Sequence, residues 1–297
     1  MKRIGIVGLG EMGIGLSRNI VQAGYELTGF DLRDDRLQML EAAGGKRGLS
    51  IADVGKNADA VFVMVLNGQQ AIEVVGGDAG LLDSMKPGST ILVSATIEPA
   101  EVREIEAVLE GSGIELIDTP VSGGKSGADN GTLTLMAAAK QEVFAGHQDL
   151  LRAVGEEIFH VGEEIGMGQT VKASLQALIG STFTAVFESL VLGSKAGVPG
   201  KVLYDVFTSS GVRSPLLEGC AKLIMDRQFK ETGSHIGTMY KDLGITMSMA
   251  RENGVTMFTT SAAYELFQAG ISLFPDEDNW SIVKLLEQIA ETKVTWE

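Results

Sequence analysis

The chain has 297 residues, of which 44% are hydrophobic and 21% charged, the composition of a soluble globular protein with room for two domains. Its formal net charge of −15 argues against nucleic acid as a partner, because phosphates need a basic face, yet a single local amine can still hold a small anion. A single cysteine, Cys220, excludes an internal disulfide, fits a reducing compartment and sits in a helical-looking stretch as a structural thiol.

The chain opens with a β-rich run from Arg3 to Gly8, then Gly8-Leu9-Gly10-Glu11-Met12-Gly13 and an apolar-periodic helix to Ala23. Glu26 to Phe30 reads as a second strand closing on Asp31. Strand, GxGxxG, helix, strand and acid form the dinucleotide fingerprint in the context it requires. Gly8 permits the tight turn, Gly10 lets backbone amides approach a pyrophosphate, and Gly13 lets the helix pack on the strand. Asp31 is placed to accept from the adenosine ribose hydroxyls and would repel a 2′-phosphate, which favours NAD. Arg33, two residues later, can receive that phosphate instead, so NADP stays open. The apolar start breaks at Glu11 and among glycines, so no export signal is read there and a cytoplasmic location is expected.

Alternation then continues. Ser50 to Lys56 reads as a capped helix and Ala60 to Leu66 as a continuously apolar, buried strand. Thr90 to Val93 is a further strand, followed by Ser94 to Pro99 and a helix to Leu109. Ile114 to Ile117 leads into Asp118-Thr119-Pro120-Val121-Ser122-Gly123-Gly124, and Gly123 to Gly131 reads as a binding turn with free backbone amides. Leu133 to Ala139 and Ile158 to Val161 complete the first half. Asn67, Thr96 and Ser122 fall at strand ends, where open α/β sheets hold ligands.

After Gly162 no strand is predicted, and helices are expected over 166–196, 199–208, 213–228, 235–253, 257–270 and 279–292. The expected domains are therefore 1–162, binding a dinucleotide, and 163–297, all-helical. The first of these helices carries apolar residues on most sides, among them Val171, Leu178, Phe183 and Phe187. Lys172, Gln176, Gly180 and Thr184 form a small, polar row at four-residue spacing. Such a helix is expected to be buried and to line a cavity. From the helix alone, Lys172 reads equally as a buried amine or as a side chain snorkelling to solvent. Its lysine, glutamines and Glu188 argue against a membrane span.

GLGEMG with Asp31, DTPVSGG, GMGQTVK and Lys241-Asp242-Leu243, in this order, resemble the β-hydroxyacid dehydrogenase family over essentially the whole chain. The resemblance implies an α/β Rossmann-type doubly wound sheet followed by an all-α domain, joined through a long helix. It implies a nicotinamide cofactor contacted by Gly8, Gly10, Glu11, Met12, Gly13, Asp31, Arg33, Leu66, Asn67, Thr96 and Lys241. It further implies Lys172 as general acid/base and Ser122, Gly123 and Gly124 as the loop holding a substrate carboxylate. Two positions depart from the family pattern: Asn67 stands where proline is usual, and Gln176 where most members have asparagine. The longer amide, with the acidic segment Asp276-Glu277-Asp278, is similar to the L-threonate dehydrogenase branch.

The reading is thus a dehydrogenase acting on a small anionic hydroxy acid, with Gln176 on a substrate hydroxyl. An imine reductase, which usually replaces the lysine, and a cofactor-binding sensor without turnover are the alternatives. His147, His160 and His235 lack ligand spacing, so no metal is expected, and no Tyr-x-x-x-Lys supports short-chain dehydrogenase chemistry. The long apolar helix asks for more cover than a small helical domain offers, so a homodimer or homotetramer is expected.

Overall fold

A computed structural model describes residues 2–297. The chain divides into two compact units, one ending at Lys172 and the other comprising Ala173–Glu297, and the long helix Met167–Lys195 runs through the division.

The first unit is built on a nine-stranded sheet. Its strands are β1 (Arg3–Val7), β2 (Glu26–Phe30), β3 (Lys46–Arg47), β4 (Ala60–Val63), β5 (Thr90–Val93), β6 (Glu115–Asp118), β7 (Val121–Ser122), β8 (Leu133–Ala138) and β9 (Gly155–Gly162). They lie in the order β3-β2-β1-β4-β5-β6-β8-β7, with β9 paired to β8. The first six pair in parallel, and β8 runs antiparallel to β6 and β7. The order reverses between β1 and β4, the switch point at which sheets of this kind bind ligands. Both faces of the sheet are covered. Ile4 and Ile6 share one core with Ile14, Leu16 and Ile20 of the helix Glu11–Gln22. Val7, Val61 and Val63 share the other with Val54, Val74 and Ile105. This strict alternation is the two-residue period of a strand buried on both sides.

Four parallel strands finish level, with Val7 opposite Val63, Val63 opposite Val93 and Val93 opposite Asp118. That alignment explains why β4 stops at Val63 rather than continuing to Leu66 as the apolar run suggested. Its neighbours end at Val7 and Val93, so no ladder remains to extend it, and Leu66 is 74% exposed. The loops after these strands are thereby gathered on one rim. The segment read as an open turn over Gly123–Gly131 is instead a short helix, Gly124–Asn130, entered through left-handed Gly123 at φ 125°. It packs tightly on the helix Glu11–Gln22. A Cβ on Gly15 would lie 2.6 Å from the Ala128 backbone, and Asn19 Nδ2 donates to the Ala128 carbonyl at 2.6 Å.

The second unit holds the helices Gly200–Ser209, Pro215–Met225, Ile236–Glu252, Phe258–Leu273 and Ile282–Ala290, and no strand follows Gly162 among the described residues. Its core is formed by Phe183, Phe187 and Leu190 of the long helix with Cys220, Leu243 and Phe267. Burial pushes the Cys220 thiol up, as expected of an inert structural cysteine. On the long helix Lys172, Gln176, Gly180 and Thr184 are all buried, as the polar row implied. Another face of the same helix is left uncovered. Leu178 and Leu192 are 67% and 74% exposed and Val171 is also exposed, so a stripe at seven-residue spacing is uncovered. By length and composition this helix could cross a bilayer, but its polar row is buried in protein.

Candidate active site

The glycine turn discriminates its three glycines by space. Gly8 has φ 94°, and a Cβ there would lie 2.3 Å from the Met64 carbonyl oxygen. A Cβ on Gly13 would lie 2.0 Å from the Gly8 oxygen. Gly10 differs, since its Cβ would meet nothing within 4 Å. The first and third glycines are therefore demanded by the fold, whereas the second opens onto free space. Gly10 is also the N-cap of the helix Glu11–Gln22 and has no side-chain cap, so the first-turn amides of Glu11, Met12 and Gly13 remain available to an anion. The Asp31 carboxylate, directly after β2, accepts from Leu9 N at 2.7 Å and Arg33 N at 2.9 Å. These residues fit a dinucleotide: an open glycine for the pyrophosphate, a helix N-terminus facing it, and an acid with lone pairs left for ribose hydroxyls.

Arg33 points elsewhere. Its guanidinium makes a bidentate pair with Asp35, at 3.0 and 2.7 Å, and this pair holds the Asp35 carboxyl below the usual carboxylate range. Asn67 explains its own departure from proline. It is the N-cap of the helix Gly68–Gly76, and its side chain accepts from Gln70 N at 2.9 Å. Thr96 is half-buried between Ala95 and Ile97, which are both fully buried. Ser122 is half-buried at the end of β7, followed by exposed Gly123 and Gly124, both with positive φ.

Sequence reasoning passed over the two residues that tie this rim together. Asp118, the last residue of β6, is completely buried, and its Oδ2 accepts from Gly166 N at 3.0 Å and Gln169 N at 3.2 Å. Its Oδ1 accepts from Gln169 Nε2 at 3.0 Å. Burial pushes this carboxyl up to about 6, against the hydrogen bonds from Gln169, Gly166 and Gly168 that favour its charged form. Gly168 admits no side chain, because a Cβ would lie 2.7 Å from the Asp118 carbonyl oxygen and 2.9 Å from its Oδ2. The N-terminus of the long helix is thus capped by a carboxylate from the sheet, and Lys172 follows one turn later, buried at 6% exposure. Of the two readings left open for Lys172, burial excludes snorkelling to solvent.

In the second unit Gln176 donates its Nε2 to Asp242 Oδ2 at 2.6 Å, with both side chains buried. Lys241 Nζ lies 2.8 Å from Asp242 Oδ1, an ion pair not aligned as a hydrogen bond. Gln176 and Lys241 are therefore joined through Asp242, which the sequence displayed only as part of the Lys241-Asp242-Leu243 motif. The acidic segment has partners within the fold. Asp278 accepts from both Thr232 N and Thr232 Oγ1 at 2.7 Å, and Glu277 pairs with Lys284. The histidines likewise serve the fold: His147 Nδ1 bonds the Val143 carbonyl, His160 Nε2 bonds the Ala139 carbonyl, and His235 Nδ1 accepts from Gly237 N.

Comparison with known proteins places this geometry. Residues 3–162 match the NAD binding domain of 6-phosphogluconate dehydrogenase, and residues 166–286 match the family described as NAD-binding of NADP-dependent 3-hydroxyisobutyrate dehydrogenase. An L-threonate dehydrogenase of Escherichia coli O6:H1 is 34% identical over 289 residues, 96% of this chain and 95% of that protein. The 2-(hydroxymethyl)glutarate dehydrogenase of Eubacterium barkeri is 30% identical over 295 residues, covering 99% of this chain and 97% of the relative. The crystal structure of a 3-hydroxyisobutyrate dehydrogenase from Salmonella typhimurium superposes with a TM-score of 0.87 at 31% identity, over 96% of this chain and 100% of that one. A glycine turn open only at Gly10, an acid closing β2 and relatives matching from end to end have one reading: the chain belongs to the β-hydroxyacid dehydrogenase family, as an NAD(P)-dependent oxidoreductase.

Proposed function

We propose that this enzyme uses NAD to oxidise, reversibly, a small hydroxy acid of the sugar-acid type, a four-carbon compound such as L-threonate, and that Lys172 moves the proton. Bound dinucleotide supplies the hydride acceptor. Lys172 takes the proton of the substrate hydroxyl as the adjacent C–H hydride leaves, and returns it in the reverse direction, so a carbonyl and a reduced cofactor result. Ser122 with the Gly123 and Gly124 amides holds the carboxylate. Gln176 receives a second hydroxyl: with Nε2 given to Asp242, its Oε1 is the acceptor that remains. Leu66, Asn67, Thr96 and Lys241 are assigned to the nicotinamide side.

The observation that carries this reading is the burial of Lys172 directly after a helix N-terminus held by Asp118. NAD is preferred to NADP because Asp31 closes β2 while Arg33 is engaged by Asp35. The uncovered stripe of Val171, Leu178 and Leu192 supports a homo-oligomer. A cytoplasmic location accords with the single, buried cysteine. The test is steady-state turnover of L-threonate, L-serine and 3-hydroxyisobutyrate with each cofactor, by wild type and Lys172→Ala. Better turnover of 3-hydroxyisobutyrate than of any sugar acid would refute the substrate assignment. Absence of any turnover, with cofactor bound, would favour the sensor reading.

A further inference from the structure

We propose that Gln169 is a positioning residue for the reaction: its buried amide locks the Thr96 turn, the end of β6 and the first turn of the long helix into one rigid frame for Lys172. The proposal rests on the reading of Lys172 as the proton-transfer group. Gln169 is 1% exposed, and both amide protons and the amide oxygen are engaged. Oε1 accepts from Ile97 N at 3.1 Å. Nε2 donates to the Ala95 carbonyl at 3.0 Å and to Asp118 Oδ1 at 3.0 Å. Its own backbone N–H donates to Asp118 Oδ2.

The consequence lies in what these partners flank. Ala95 and Ile97 bracket Thr96, so the amide bonds the backbone on both sides of that residue. Asp118 stands four residues before Ser122. Lys172 follows Gln169 by three residues, less than one helical turn. A single side chain therefore ties the first turn of the long helix, and Lys172 with it, to two fixed points on the rim of the sheet. Filling the core would not need this pattern, since leucine has nearly the same volume and no polar atoms to satisfy. The amide is the one group offering an acceptor and two donors in the plane that the Ile97 amide, the Ala95 carbonyl and the Asp118 carboxylate demand.

The experiment is a double-mutant cycle on the full-length enzyme between Gln169→Leu and Lys172→Ala, with kcat, KM for the hydroxy acid and the Kd for NAD measured for each. Gln169→Leu is expected to lower kcat about 10- to 100-fold, as displaced catalytic groups do. KM and the Kd for NAD should move by no more than about threefold. In the Lys172→Ala background the same substitution should cost less than about threefold, because the residue it positions is gone. A Gln169→Leu enzyme with near wild-type kcat, beside a crippled Lys172→Ala, overturns the proposal and leaves the lysine reading intact. A fully additive loss also overturns it, because a merely structural role would act in both backgrounds. Near-full activity of Lys172→Ala sinks the lysine reading, and this proposal with it. Should Gln169→Leu not fold by circular dichroism, Gln169→Met takes its place; if neither folds, Gln169 is a structural strut and the proposal falls.

Discussion

Gln176 and Asp242 form a buried hydrogen bond of 2.6 Å between the long helix and the helix Ile236–Glu252, and it fixes which end of the Gln176 amide is left to act. Asparagine is one methylene shorter and loses this reach. Gln176→Asn is expected to lower kcat/KM for a four-carbon sugar acid about tenfold, the scale of one lost hydrogen bond to a charged group. Activity on smaller hydroxy acids should fall less. Equal losses across a substrate panel would show that Gln176 supports the fold rather than the choice of substrate.

Lys172→Ala or Lys172→Met should lose roughly two to four orders of magnitude in kcat, the range for a positioned acid/base group. NAD affinity, read by fluorescence or calorimetry, should stay near wild type. Because one lysine must be neutral to accept the proton and charged to return it, oxidation should rise with pH and reduction should favour lower pH. Loss of NAD binding in step with kcat would contradict the assignment.

Cofactor choice follows from the end of β2. Asp31 uses lone pairs on the Leu9 and Arg33 amides and retains others for ribose, while Arg33 is held by Asp35. Wild type should prefer NAD by kcat/KM, and Asp31→Ser should narrow that preference about tenfold or more by removing the like charge. Wild-type preference for NADP would mean that Arg33 leaves Asp35 for the phosphate.

Asp118 predicts a stability profile. Its folded-state value of about 6 stands above the ordinary 3.8, so the fold favours the protonated form. Its stabilising share is complete below about pH 4 and is lost as pH rises through about 6. Between pH 3 and 7 the wild type should therefore lose about 3 kcal/mol relative to Asp118→Asn, measured by urea denaturation. A pH-independent difference between the two proteins would show that the carboxylate is less strained by burial than its surroundings imply. Keeping an ionised acid where burial disfavours it makes sense if anchoring the helix matters more than stability.

Much of this was legible in the chain, for reasons tied to particular residues. GLGEMG reads correctly because Gly8 and Gly13 answer local steric demands while Gly10 keeps its turn open, and the helices after Gly162 read correctly because apolar periods of 3.6 residues run long there. Residues 257–270 were expected as a helix, and Phe258–Leu273 forms one. Two-residue strands such as β3 and β7 carry no period to detect, and the early end of β4 depends on where its neighbours stop. The Asp118–Gln169 bond joins residues 51 apart, which no local pattern displays. Which apolar residues of the long helix stand uncovered, Leu178 and Leu192 among them, was hidden because apolar residues read alike whether a core or a partner covers them.

The level ends of β1, β4, β5 and β6 gather the loops that follow them on one rim and leave the opposite rim to the turns that precede those strands. Its turns include Gly111 and Gly113, with φ of 78° and 73°, and Gly111 has nothing within 4 Å of a would-be Cβ. That rim is an engineering port. A fluorescent domain spliced in at Gly111, through flexible linkers, should report on expression and location while turnover per molecule stays within about twofold of the parent. The same insertion at Gly123 should silence the enzyme, because there the chain has no slack to give.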